Sequence, residues 1–107
     1  MININMGCGW RDFGEDWIHI DAGDYPHLDY KNITNLKDFD DNSVDLIYAS
    51  HVIEYFDRVE IIGLLSEWRR VLKPDGILRL AGLDRDWETY IRSTELSSKS
   101  FKLVMFL

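Results

Sequence analysis

Cysteine is nearly absent from this chain. Cys8 is the only one, so neither an internal disulfide framework nor a multi-cysteine zinc site can be built. Proline is scarce as well, with two residues, and no Pro/Gly/Ser linker, internal repeat or low-complexity tract divides the 107 residues. Long apolar runs are missing: the longest is the five residues Leu103 to Leu107, far below the roughly 20 needed for a membrane helix. The opening Met1-Ile2-Asn3-Ile4-Asn5 lacks the basic start and apolar stretch of a signal peptide, which makes the cytoplasm the expected location. Positive charge is in deficit. Twelve Lys and Arg against nineteen Asp and Glu leave a net charge of −7, a balance that repels phosphate backbones and anionic membrane. Nucleic acid and membrane are therefore unfavoured partners.

What remains is an ordinary globular composition. With 46% hydrophobic and 29% charged residues, the chain can build one modest core, and a single domain over 1–107 is expected. Ile2 and Ile4 alternate with Asn3 and Asn5 up to Met6, then the pattern stops at Gly7-Cys8-Gly9, which reads as a short strand running into a glycine loop. Trp17 to Ile20 reads as a second strand ending at Asp21, and Leu28 to Ile33 as a short third. After the turn cluster Asp40-Asp41-Asn42-Ser43, Val44 to Ala49 is an apolar run of the kind found in buried parallel strands. A helix then begins. Asp57 and Glu60 form the pattern of a capping box, and Phe56 and Ile61 that of a hydrophobic staple. Ile61, Leu64, Leu65, Trp68, Val71 and Leu72 recur at helical spacing, Arg69, Arg70 and Lys73 read as its solvated side, and Lys73-Pro74-Asp75-Gly76 ends it. Ile77 to Leu83 is the next strand, and Asp84 caps a further helix to about Arg92. Strands and helices in this order predict an α/β fold, an open, mostly parallel Rossmann-like sheet of about five strands flanked by helices.

In such sheets ligands bind at the carboxyl ends of the strands. A Gly-x-Gly directly after a first strand lets the backbone approach a ligand where a Cβ would clash, although the same pair also reads as a plain turn. An acid ending the second strand, here Asp21, can accept hydrogen bonds from ribose hydroxyls. It follows Gly9 by twelve residues, against about twenty in the dinucleotide fingerprint, and Asp12 stands where that fingerprint has its third glycine. A nicotinamide cofactor is thereby disfavoured. His19, His27 and His51 lack metal-ligand spacing, so no metal is expected. Cys8 is a poor candidate nucleophile, since a small residue between glycines suits the floor beneath a ligand. Asp40, Asp41 and Asp45 are explained by turn chemistry, and Trp10 and Trp17 read equally as cofactor shields or as packing.

The segments Asn5-Met6-Gly7-Cys8-Gly9, Trp17-Ile18-His19-Ile20-Asp21, 39–55 (FDDNSVDLIYASHVIEY) and 67–80 (EWRRVLKPDGILRL) together resemble a class I S-adenosylmethionine-dependent methyltransferase, in the compact methyltransferase domain 11 form. The resemblance touches most of residues 2 to 83, and its second half is the more specific. It implies S-adenosylmethionine as cofactor, with S-adenosylhomocysteine as product, above Gly7, Cys8 and Gly9. Asp21 would take the ribose hydroxyls, and Asn32 and Ile33 would flank the adenine, with Asn32 standing where the family often has an acid. Ser50 and His51 would line the methionine end, with His51 as candidate catalytic base or cofactor-positioning residue. Glu54 would support His51 or contact the cofactor, and reads equally as a helix-start acid, while Tyr55 replaces a histidine common in the family.

The implied activity is methyl transfer to a small-molecule or protein acceptor. The alternative is a non-catalytic or incomplete methyltransferase-like module that acts by binding a partner. Family members usually continue into further strands that cover the edge of the strand read here at Ile77 to Leu83. Without them the fold is expected to be truncated, with a homodimer through that edge or through the C-terminal tail. Residues 101–107 read as helix or strand, the helix being preferred.

Overall fold

In the computed structural model residues 1–94 and 101–106 are described; the 95–100 part of the polar stretch after the second helix, and Leu107, lie outside them. Ile4 and Met6 are fully buried in β1 (Asn3–Met6), and Ile20 closes β2 (Ile18–Ile20) equally buried. The apolar run after the aspartate-rich turn forms β3 (Val44–Ser50). It is followed by a single 3-10 turn over Ile53–Tyr55, then α1 (Arg58–Val71), β4 (Leu72–Ala81), α2 (Arg85–Ser93) and β5 (Lys102–Phe106). The five strands form one sheet in the order β2-β1-β3-β4-β5, all neighbours parallel. From β1 the chain moves outward to β2 and then returns to lay β3 on the other side, so strand order reverses at β1. Ligands in open α/β sheets sit at such a switch point.

Alternation decides the layers. Ile4, Met6, Ile47, Ala49, Leu78 and Leu80 join Ile61, Leu64, Leu65, Trp68 and Val71 of α1 and Ile91 of α2 in one core. Across the sheet, no helix lies between β1 and β2 among the described residues. There the ring of Phe13 packs edge-on to Trp17 at 5.1 Å and against Tyr48 at 5.8 Å. Among the described residues no helix is long and apolar enough to cross a membrane.

The start of α1 follows its sequence signals. The Asp57 carboxylate accepts the Glu60 amide at 2.7 Å, and the Glu60 carboxylate accepts the Asp57 amide at 3.1 Å, which satisfies two of the donors a helix start leaves open. Its end comes earlier than the Pro74 signal. Leu72 is extended at ψ 136° and pairs with Val44, because a residue before proline is pushed out of the helical region and Lys73 cannot continue the helix. Residues 73–76 then bulge opposite Asp45, with Asp75 at φ 67°, before Ile77 resumes pairing with Leu46. Lys73 reaches Asp45 at 3.2 Å, and the Ile2 amide at 2.8 Å, with Lys73, holds the Asp45 carboxyl below its ordinary range.

The structure departs from expectation at three further places. The strand expected over Leu28 to Ile33 is reduced to one bridge, Ile20 to Tyr30. Side chains intervene: Asp29 accepts the His19 amide of β2 at 2.8 Å, a donor that a longer ladder would use, and Asn32 accepts the amides of Thr34 and Asn35 at 3.0 Å, which turns the chain. The C-terminal segment is a strand rather than the preferred helix. Pairing Lys102–Phe106 with Ile77–Ala81 satisfies an edge of β4 that would otherwise stand open. The β4 edge, one of the two places expected for a homodimer beside the C-terminal tail, is thus occupied by β5. Lastly, Arg70 is not a solvated side chain. It bonds Glu67, Asp41 and the carbonyls of Leu36 and Phe39, and Glu67 also accepts the Leu36 amide at 2.7 Å. The Arg70 guanidinium holds the Glu67 carboxyl below its ordinary range, and the pair pins the loop that carries Leu36 and Phe39 to α1.

Candidate active site at the carboxyl ends of β1, β2 and β3

The backbone turns left-handed twice as it leaves β1, at Gly7 (φ 63°) and Gly9 (φ 56°), a region that side chains disfavour. Gly7 has a second constraint: a Cβ there would run into the side chain of Val52. At Gly9 nothing lies within 4 Å of where a Cβ would be. The Gly7 amide donates to the Ile20 carbonyl at 2.7 Å, and the Gly9 amide to the Asp21 carboxylate at 2.8 Å, so the loop is tied to the end of β2. The other Asp21 oxygen accepts the Gly23 amide at 2.7 Å.

On the far side of the loop, β3 ends in Ser50 and the chain turns sharply through His51, a non-glycine residue at φ 57°. Such strain is held only where surrounding structure enforces it, and it concentrates at functional sites. Here the His51 amide donates to the Ala81 carbonyl at 3.0 Å. Gly82, itself at φ 78°, makes room for the imidazole: a Cβ there would lie 2.5 Å from Nδ1 and 2.6 Å from Cε1. Nδ1 is 3.4 Å from a Glu54 oxygen, and the His51 side chain is 70% exposed.

These segments enclose a cavity of about 540 Å³, within the range of small-molecule sites. Of the residues singled out from the sequence, it brings together Gly7, Cys8, Gly9, Asp21, Ile33, Ser50 and His51. Asn32 is not among them. Its side-chain oxygen is engaged by Thr34 and Asn35, and it lines a separate recess with Leu36 and Phe39. Trp10 lines the cavity at its mouth, edge-on to Tyr25 at 4.9 Å, whereas Trp17 does not reach it. His19 serves the fold, accepting the Phe13 amide at 2.9 Å. Among the described residues no group of three or more His, Cys, Asp or Glu side chains is gathered to hold a metal ion.

Several lining residues were not singled out for the site: Ala22, Tyr25, Val52, Phe56, which the sequence marked only as a helix staple, and, above all, Arg11. An arginine shortly after a glycine loop in an acidic chain was the one available hint, and its partners, being backbone carbonyls, leave no trace in the residue types.

Cys8 is buried in the cavity floor, its sulfur 3.6 Å from His27 Nε2. Burial and then the nearby Asp21 charge push its pKa up from 9.0 to about 11, which leaves it a neutral thiol near neutrality. An aromatic disulfide reagent at pH 8 is accordingly expected to label the urea-unfolded chain promptly and the native chain far more slowly. Equal rates would show that Cys8 is accessible.

The cavity is thus a carboxylate at the β2 end, a glycine floor in the middle, and an exposed imidazole at the β3 end. A family model described as a methyltransferase domain matches residues 16–80, more than half of the chain, beginning beyond the glycine loop. No curated protein and no solved structure matches the chain.

Proposed function

The chain belongs to the methyltransferase domain family, and from that premise we propose that it binds S-adenosylmethionine in the cavity above Gly7-Cys8-Gly9 and transfers the methyl group to a small or medium acceptor. The observation that carries this reading is the convergence of the glycine loop, Asp21 and Ser50-His51 on one cavity at the switch point of a parallel sheet. The residues present fit such a ligand. The space above Gly9 is open, and Asp21 lines the cavity with its carboxylate held by the Gly9 and Gly23 amides.

When bound, the cofactor supplies a methyl group already activated on a sulfonium. The chain's own residues then hold and align. Asp21 would accept hydrogen bonds from the ribose hydroxyls, and Ile33, on the cavity wall, would flank the adenine. The glycine floor carries the remainder. For a hydroxyl acceptor, His51 takes the proton at Nε2, with Glu54 beside Nδ1 orienting the ring.

A second reading, a module that binds a partner without turnover, has one observation in its favour. Both oxygens of Asp21 are already bonded to backbone amides, as a purely structural carboxylate would be. Calorimetric titration with S-adenosylhomocysteine, with NAD as the control ligand, separates the two. Micromolar binding of the former alone is expected, with Asp21→Ala weakening it at least tenfold, about the contribution of one charge-assisted hydrogen bond. Absence of binding to the wild-type chain would overturn the enzyme reading and leave the binding module.

A further inference from the structure

The geometry points to Arg11 as the residue that positions the floor of the cofactor site, a role that rests on the cofactor reading for its purpose but not for its structural test. Its Nε donates to the Cys8 carbonyl at 3.3 Å, and its Nη2 donates to the Ser50 carbonyl at 3.3 Å and to the Gly7 carbonyl at 3.5 Å. One planar guanidinium therefore joins the glycine loop after β1 to the end of β3, Ser50 lying 39 residues beyond Arg11 in the chain. Its backbone extends the same node. The Arg11 amide donates to the Cys8 carbonyl at 3.0 Å, and the Arg11 carbonyl is in contact with Asn5 Nδ2 at 3.2 Å and His27 Nε2 at 3.1 Å.

The need for such a clamp follows from what is missing beside it. In α/β nucleotide sites a helix begins at the end of the glycine loop, fixing its conformation and supplying the positive end of a dipole. Here residues 7–17 contain no helix. The loop's carbonyls have no helical ladder to bond, and residues 7–17 offer no helix start to supply positive charge. Arg11 meets both needs: its donors satisfy the carbonyls, and among the described residues lining the cavity it is the only Lys or Arg. A guanidinium suits this because its donors lie in one rigid plane and its charge is permanent. An ammonium offers its three donors from one nitrogen and lacks the rigid fork that places Nε on Cys8 and Nη2 on Ser50. Arg11 acts through Gly7, Cys8 and Ser50 and is a positioning residue rather than a catalytic one.

The test uses the whole chain as wild type, Arg11→Ala and Arg11→Lys, with amide hydrogen exchange measured without ligand and calorimetry with S-adenosylhomocysteine. In Arg11→Ala the amides of Cys8, Gly9 and His51 are expected to exchange about tenfold faster, while those of Leu65 and Trp68 inside α1 keep their protection. Affinity for S-adenosylhomocysteine is expected to fall by about tenfold in Arg11→Ala, with Arg11→Lys recovering only part of it. Unchanged exchange at Cys8, Gly9 and His51 in Arg11→Ala overturns the clamp whatever the ligand result. Full recovery of both readouts by lysine overturns the planar bridge in favour of charge alone. If the wild-type chain binds no S-adenosylhomocysteine, the cofactor reading fails, while the exchange data still decide the role of Arg11.

Discussion

Gly7→Ala is expected to destabilise the chain by about 2–5 kcal/mol, the sum of about 1–2 kcal/mol for a Cβ in the left-handed region and about 1–3 kcal/mol for crowding a packed site. The first contribution comes from φ 63° and the second from the collision with Val52, itself buried in the core. Against a total stability of about 5–15 kcal/mol for a domain of this kind, that is a large fraction. Gly9→Ala supplies the control. It has nearly the same backbone conformation, φ 56°, but no atom within 4 Å of the added methyl, so only the conformational cost of about 1–2 kcal/mol applies. Urea unfolding of both variants, with Gly7→Ala/Val52→Ala as the double variant, measures the difference. Trimming Val52 should return part of the loss, because the two substitutions share one contact. If the two glycine variants unfold at the same urea concentration, the close packing of the loop on Val52 contributes nothing.

The second large effect is expected at Trp68. It is fully buried in α1, and its indole nitrogen donates to the Ile33 carbonyl at 2.8 Å. One side chain thus fills the core and anchors the segment that brings Ile33 to the cavity wall. Trp68→Ala removes the ring and leaves a cavity, a loss of about 3–5 kcal/mol. It also orphans a carbonyl, for about 1–3 kcal/mol more. Such a chain is expected to be largely unfolded at ambient temperature. Trp68→Phe largely separates the two causes, since it keeps most of the apolar volume and removes the donor with a small part of the ring. It is expected to fold, to lose about 1–3 kcal/mol in urea unfolding, and to change the chemical environment of the Ile33 carbonyl in a carbon-detected NMR spectrum. Wild-type stability in Trp68→Phe, with an unmoved Ile33 signal, would show that the indole bond anchors nothing.

Where sequence and structure agree, the cause is local. The capping box at Asp57 and Glu60 operates within one turn, and the spacing of Ile61, Leu64, Leu65, Trp68 and Val71 defines a buried face whatever packs on it. The glycine loop was legible for the same reason, because its conformation excludes most side chains at Gly7. The departures share the opposite cause. Leu28 to Ile33 has the residues of a strand, but Asp29 occupies the His19 amide of β2, and Asn32 bonds the Thr34 and Asn35 amides and turns the chain just beyond. Lys102 to Phe106 is strand because β4 offers it an edge, which no local pattern records. Arg70 looked like surface until the loop holding Leu36, Phe39 and Asp41 folded over it, at separations of up to 34 residues.

By itself the sequence determined the parallel α/β class, the cap and apolar face of α1, and the residue types of the candidate site: small and left-handed-tolerant at Gly7 and Gly9, a carboxylate at Asp21, an imidazole at His51. These follow from backbone sterics and periodicity, which act over a few residues. Tertiary structure alone decided which residues meet across the cavity. It set Asn32 aside, brought Tyr25 and Phe56 in, and turned Arg11 back onto the carbonyls of Gly7, Cys8 and Ser50. A hydrogen bond to a carbonyl selects a position in space and not a residue type, so its partner is invisible until the chain has folded.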